Sequence, residues 1–222
     1  MNKPPIHRLK KAELVRLATT YCKHGHTLLS HYGCYTPQEE RLGFLDIETS
    51  NLDADFGIIL SYCILKAGTN EILEGVLTLK DIQQAKSGDE DKGVVKKLIK
   101  DLEEFDRVVG YYSSRFDIPF IRTRALVTGV PFGVYGSLSH TDLYYVIRHR
   151  FKMSSNRLEN ACRTLLGKTQ KTRIENRYWR GATRGDKASL DYVLDHNRKD
   201  VIDLEKLYNQ VINFSAERRV SI

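Results

Sequence analysis

The stretch Leu42-Gly-Phe-Leu-Asp46-Ile-Glu48-Thr-Ser50 constrains this chain more than any other. Side chains on a β-strand alternate between its two faces. A strand here turns Leu45 and Ile47 to one face and Asp46 and Glu48 together to the other. The first face demands a core. The second gathers two carboxylates that repel each other unless a cation or solvent relieves them. Dense oxygen donors suit Mg²⁺ or Mn²⁺ rather than a soft metal. A solvated strand end accounts for the same pair, so the pair alone does not decide.

The chain has 222 residues, of which 41% are hydrophobic. That suffices for one domain with a real core and a short appendage, and it excludes a disordered chain. The longest nearly unbroken apolar run, Phe56 to Leu65, falls well short of the roughly 20 residues of a membrane helix. The N-terminal residues carry charge but no apolar h-region, so no secretory signal is read and an intracellular, cytoplasmic location with no membrane association is expected. Cys63 and Cys162 lie in apolar stretches and read as buried thiols.

Apolar spacing predicts a helix over 9–23, then strands over 42–47, 57–65 and 71–79 that suit an antiparallel meander. A helix over 94–105, a strand over 107–111, a helix over 118–127 and a strand over 138–142 follow. The remainder reads as helices over 143–151, 157–166 and 187–214, the last with a break near Asp195. The expected fold class is α/β: a mixed sheet of three antiparallel strands, then alternating helices and strands, with helices on both faces. Residues 1–40 are read as a basic helix plus a Cys/His segment, and 41–222 as the main domain.

The net charge of +7 is unevenly placed. Residues 148–187 hold 12 Lys/Arg against 3 acids, whereas residues 42–147 hold 11 against 16. A basic segment beside an acidic one fits a phosphate-binding surface next to a metal site; it also fits a solvated face kept for solubility.

Two further acidic positions join the first pair. Asp117, before Ile118-Pro119-Phe120, reads as a helix N-cap with proline in the first turn; a capping carboxylate still has an oxygen for a metal. His196 and Asp200 are four residues apart and share a helix face, with Asp203 near it. A surface salt-bridged helix is the plainer reading of that pair.

The order of these motifs is informative. Phe44-Leu-Asp-Ile-Glu-Thr-Ser-Asn-Leu52, then Arg115-Phe-Asp-Ile-Pro-Phe120, then Asn197-Arg-Lys-Asp-Val201 resemble the DEDD superfamily of 3′-5′ exonucleases, which have a ribonuclease H-like fold. The likeness is to stand-alone bacterial and phage types and to the proofreading domains of family B polymerases. It runs from about Leu42 to Asn213. The resemblance implies four metal-binding carboxylates, Asp46, Glu48, Asp117 and Asp200, holding two Mg²⁺ or Mn²⁺ ions for phosphodiester hydrolysis. His196 stands at the spacing where one subfamily carries a Tyr, and an imidazole there suits a general base or water positioner. Asp142 resembles a further acidic position, read as structural, as is His140. A structure-specific endonuclease on the same fold and a catalytically silent nucleic-acid-binding module are the competing readings.

The expected partner is nucleic acid, as a single strand or a 3′ end. Candidate contacts are Ser50, Asn51, Leu52, Tyr112, Arg115, Arg157 and Arg180, with Tyr178 and Trp179 either stacking on bases or packing into the core. No small organic cofactor is expected, and no protein partner is specified. Near the N-terminus, Cys22, His26, His31 and Cys34 form a candidate Cys₂His₂ zinc site; two free cysteines and surface histidines are the alternative.

Overall fold

The structure is a computed structural model that describes residues 11–21, 25–27, 30, 40–86, 88–133, 138–170, 174–215 and 220–221. Cys22, His31 and Cys34 lie outside the described residues, so the zinc reading stays an expectation from sequence. A short helix, α1 (Lys11–Thr19), precedes the sheet.

Strands β1 (Leu42–Thr49), β2 (Ile59–Lys66) and β3 (Ile72–Val76) form the antiparallel meander. Helices α2 (Leu79–Gln84) and α3 (Lys92–Leu102) lead to β4 (Arg107–Gly110), then α4 (Asp117–Thr128) and β5 (Ser139–Asp142). β4 lies parallel to β1, and β5 parallel to β4. A two-residue strand, β6 (Val220–Ser221), closes the edge, giving the order β3-β2-β1-β4-β5-β6 among the described residues. Helices α5 (Leu143–Arg150), α6 (Leu158–Leu166), α7 (Asn176–Ala182) and α8 (Lys187–Val211) complete the domain.

Helices cover both faces of the sheet, as the sequence led us to expect. On one face Leu45, Ile47, Tyr62, Ile64 and Val108 pack with Val95 and Leu98 of α3 and Ile118 and Ile121 of α4. On the other, Phe44, Cys63, Leu65 and Val109 pack with Leu143, Ile147, Cys162, Val201, Leu204 and Leu207. β2 lies between β1 and β3, and its residues Ile59 to Leu65 are all buried. Among the described residues, the cysteines Cys63 and Cys162 are buried.

Three local readings need correction. The third strand stops at Val76, because Thr78 and Asp81 form a capping box that starts α2. α8 runs unbroken through Asp195. The polar residues that follow it, His196, Asn197, Asp200 and Asp203, are buried. α7 has no counterpart in the sequence reading. By contrast α6 ends at Leu166 as expected: Gly167, at φ 74°, takes the left-handed cap conformation. Among the described residues no helix is long and apolar enough to cross a membrane.

Candidate active site

β1 carries the first two carboxylates. Asp46 and Glu48 are half-buried on its α8-facing side, while Leu45 and Ile47 are buried on the other. Across the strand pair Asp46 sits opposite Cys63 and Glu48 opposite Ser61. The register then slips: Thr49 pairs with Ile59, leaving Leu60 as the extra residue. A bulge at this point re-aims the strand end just beyond Glu48. Burial pushes the Cys63 thiol far up, and the charges of Glu74, Asp46 and Glu48 push it further, so this cysteine stays protonated.

Asp117 joins them from the far side of the sheet's centre. Parallel pairing of β1 with β4 spans Leu42–Phe44, and beyond it the Ile47 N–H donates to Asp117 Oδ1 at 3.1 Å. Asp117 is therefore not the N-cap. Phe116 occupies that position without a side-chain cap bond, and Asp117 is the first helical residue. Its carboxyl is only 4% exposed. Burial pushes it up to about 7, with the charges of Asp142 and Glu48 adding to the shift.

α8 supplies the rest. Its i,i+4 pair His196 and Asp200 faces β1 and is buried, not a solvent-exposed salt bridge. His196 Nδ1 lies 3.2 Å from Glu48 Oε1 and 3.8 Å from Asp200 Oδ2. One ligand atom from each of Glu48, His196 and Asp200 falls within 4.8 Å of the others. Arg198, midway between His196 and Asp200 in sequence, grips Glu74 of β3 through two bonds of 2.6 and 2.5 Å and clamps the helix to the sheet. Asp203 does not join the group: it accepts from Thr169 Oγ1 and the Gln170 N–H, both at 2.7 Å.

Asp142, read from the sequence as structural, accepts four hydrogen bonds. Its Oδ1 accepts from the N–H of Tyr112 at 2.8 Å and of Tyr144 at 3.1 Å. Its Oδ2 accepts from the Ser114 N–H at 3.0 Å and Ser114 Oγ at 2.5 Å. It thereby organises the loop that delivers Asp117. Tyr112 in that loop has φ 61°, a conformation that costs a bulky residue about 1–2 kcal/mol. The turn begins at Gly110, where an added Cβ would come within 2.2 Å of Ser113 Oγ. That hydroxyl meets His140 Nε2 at 2.8 Å, and burial pushes the His140 imidazole down to about 4, consistent with a structural histidine.

The remaining sequence candidates divide. Ser50 is engaged in loop closure, its Oγ accepting from the Ile58 N–H and its own N–H donating to Ile58 O. Asn51 Oδ1 accepts from the Leu52 N–H. Leu52, Tyr112, Arg115, Arg157 and Arg180 are exposed. Trp179 packs against the core, and Tyr178 stacks on Tyr192 at 4.0 Å.

The donor set fits a hard divalent cation. Asp117 is a carboxyl raised chiefly by burial and further by like charge, and Glu48 and Asp200 converge on one point; a cation stabilises such a group, as no nearby carboxylate can.

Comparison with known proteins agrees with this architecture. A DNA polymerase from Methanocaldococcus jannaschii is 26% identical over 152 residues, which is 55% of this chain and 9% of the polymerase. The family B DNA polymerase of the archaeon Pyrobaculum calidifontis superposes with a TM-score of 0.58 over 77% of this chain and 24% of its own, at 19% identity. The chain thus spans about a quarter or less of either protein. The profile of the RNase H superfamily matches residues 43–212, and the mixed sheet has the order expected of that fold. The chain belongs to the RNase H superfamily.

Proposed function

We propose that this protein is a metal-dependent 3′-5′ exonuclease that hydrolyses phosphodiester bonds at the end of a nucleic-acid strand. One observation carries the reading. Carboxylates separated by some 150 residues, Glu48 on β1 and Asp200 on α8, converge with His196 within 4.8 Å, and the buried Asp117 is bonded to the same strand. Family membership and the likeness to family B polymerases support it, as do the three motifs and their order.

Asp46, Glu48, Asp117 and Asp200 are the residues that would hold Mg²⁺ or Mn²⁺. Such ions, when bound, supply Lewis acidity toward water and the scissile phosphate. The chain's own part is positional and protonic. Asp117 ties the α4 end of the site to β1 through the Ile47 amide. Arg198 and Glu74 keep α8 seated, so that His196 and Asp200 face Glu48. His196, at ion-pair distance from Glu48 Oε1, is the group suited to take the proton of the attacking water, imidazole having an unperturbed pKa of about 6.5. The basic segment after Arg148 neutralises the strand's phosphates.

The test uses 5′-labelled single-stranded DNA and RNA with the full chain in Mg²⁺, Mn²⁺ or EDTA, beside Asp46→Ala. A ladder that shortens from the 3′ end and disappears in EDTA and in the variant is the expected result. Internal cuts from the start would favour an endonuclease, and binding without cleavage in every metal would return the domain to a binding module.

A further inference from the structure

A run of aromatic rings begins at Tyr112, in the loop before Asp117, and continues along α5. The Tyr112 ring meets Tyr144 edge-on at 4.9 Å, Tyr144 meets Tyr145 at 5.2 Å, and Tyr145 meets His149 at 5.9 Å. Guanidinium groups hold the hydroxyls: Arg115 Nε donates to Tyr145 Oη at 3.3 Å and Arg148 Nη1 to Tyr144 Oη at 3.4 Å. Tyr112 is 45% exposed, and Arg115, Arg148 and His149 are exposed as well. A core cluster of this size would turn its rings inward, and would not surround itself with arginines.

Two features tie the row to the site. Asp142 accepts from the Tyr112 N–H and caps α5 through Tyr144 N, so a single carboxylate fixes both ends of the Tyr112–Tyr144 contact. The chain also accepts a left-handed backbone at Tyr112 while leaving its ring in solvent. Strain of this kind persists where a function holds it. The row then runs into the electropositive segment that begins at Arg148.

We infer that Tyr112, Tyr144, Tyr145 and His149, with Arg115 and Arg148, form a track for the unpaired nucleotides of a single strand, leading to the carboxylate site. Bases stack on aromatic faces whatever their identity, and arginines track the phosphates. A duplex end, with its bases already paired and stacked, gains nothing from such a row. The inference deepens the exonuclease reading, because the strand that remains attached to a 3′-terminal nucleotide must leave the site along some surface. It makes the substrate single-stranded.

The experiment measures binding in EDTA, by fluorescence anisotropy, of an oligothymidylate of about twelve nucleotides and of a blunt hairpin duplex. The full chain is compared with Tyr145→Leu, His149→Ala and Arg148→Ala. The wild type is expected to prefer the single strand at least ~10-fold, and Tyr145→Leu and His149→Ala to weaken that binding by about 3- to 10-fold without changing duplex binding. Arg148→Ala is expected to lower the slope of affinity against salt by about one. His149 is exposed, so its variant keeps the test meaningful if Tyr145→Leu unfolds. Equal affinity for strand and duplex, or variants that bind like wild type, would overturn the track. Because no cleavage is involved, a protein that binds along the row yet hydrolyses nothing would support the track and refute the nuclease.

Discussion

Two groups of buried acids in this domain show opposite solutions to the same problem. At the first, Asp91 is fully buried, and its carboxylate accepts from the Ile59 N–H at 2.9 Å, Arg124 Nε at 2.9 Å and Arg124 Nη2 at 2.6 Å. Arg124 also donates to Gly88 O and Ala54 O, so one ion pair joins α4 to the β1–β2 loop and to the loop before α3. At the second, Asp117 is equally deep, but the charged neighbours that raise it are Asp142 and Glu48. The first group is neutralised from within the protein and serves the fold. The second sets carboxylates beside one another, a crowding that a bound cation would relieve.

The largest effect should come from breaking the first group. Arg124→Leu leaves Asp91 as an uncompensated buried charge and is expected to cost about 3–5 kcal/mol in urea denaturation. The double change Asp91→Leu with Arg124→Leu should recover part of that loss. A single variant as stable as wild type would remove the contrast.

His140 offers a third solution, staying neutral. Its imidazole is pushed down from 6.5 to about 4, so between those values the unfolded chain takes up a proton that the folded chain refuses. Stability is full above pH ~6.5 and falls as pH drops toward ~4, at up to about 1.4 kcal/mol per pH unit. The total is on the order of 3 kcal/mol. His140→Gln should flatten this part of the pH profile, and an unchanged slope would contradict the assignment.

The second group predicts a change of opposite sign. Asp117→Asn keeps an oxygen for the Ile47 N–H and removes the crowded charge. In EDTA at neutral pH it should raise stability by on the order of 2 kcal/mol, and in a separate assay with Mg²⁺ it should abolish cleavage. A destabilised variant would place Asp117 with Asp91.

Asp203 gives the smallest effect. It lies on α8 three residues beyond Asp200, yet hydroxyl and amide donors satisfy it. Asp203→Asn should cost about 1 kcal/mol and leave metal affinity unchanged.

How far the sequence disclosed these groups follows from how each residue is satisfied. The period-2 pattern at Asp46 and Glu48 and the apolar runs of β2 and β3 were legible, because alternation depends only on local geometry. α8 was legible as a helix but not as a continuous one. Its middle carries polar residues that pattern alone reads as solvent-facing, although they meet β1. Asp117 read as an N-cap because Asp before Ile-Pro has that local meaning; its true partner, the Ile47 amide, is 70 residues away. The Asp91–Arg124 pair left no local trace, since its partners are 33 residues apart, one at the start of α3 and the other within α4. α7 is seven residues with an internal Gly181, too short and too weakly patterned to register. Thr78 and Asp81 did carry a capping signal for α2, which the apolar run into Leu79 obscured.

The central claim is that the second group is built for divalent cations. Calorimetric titration of Mn²⁺ into the full-length wild type, beside Asp46→Ala and Asp200→Asn, tests it most directly. The account predicts about two ions per wild-type chain, with binding weakened at least ~10-fold in each variant. A wild type that takes up no Mn²⁺, or variants that bind it as tightly as wild type does, would contradict the account.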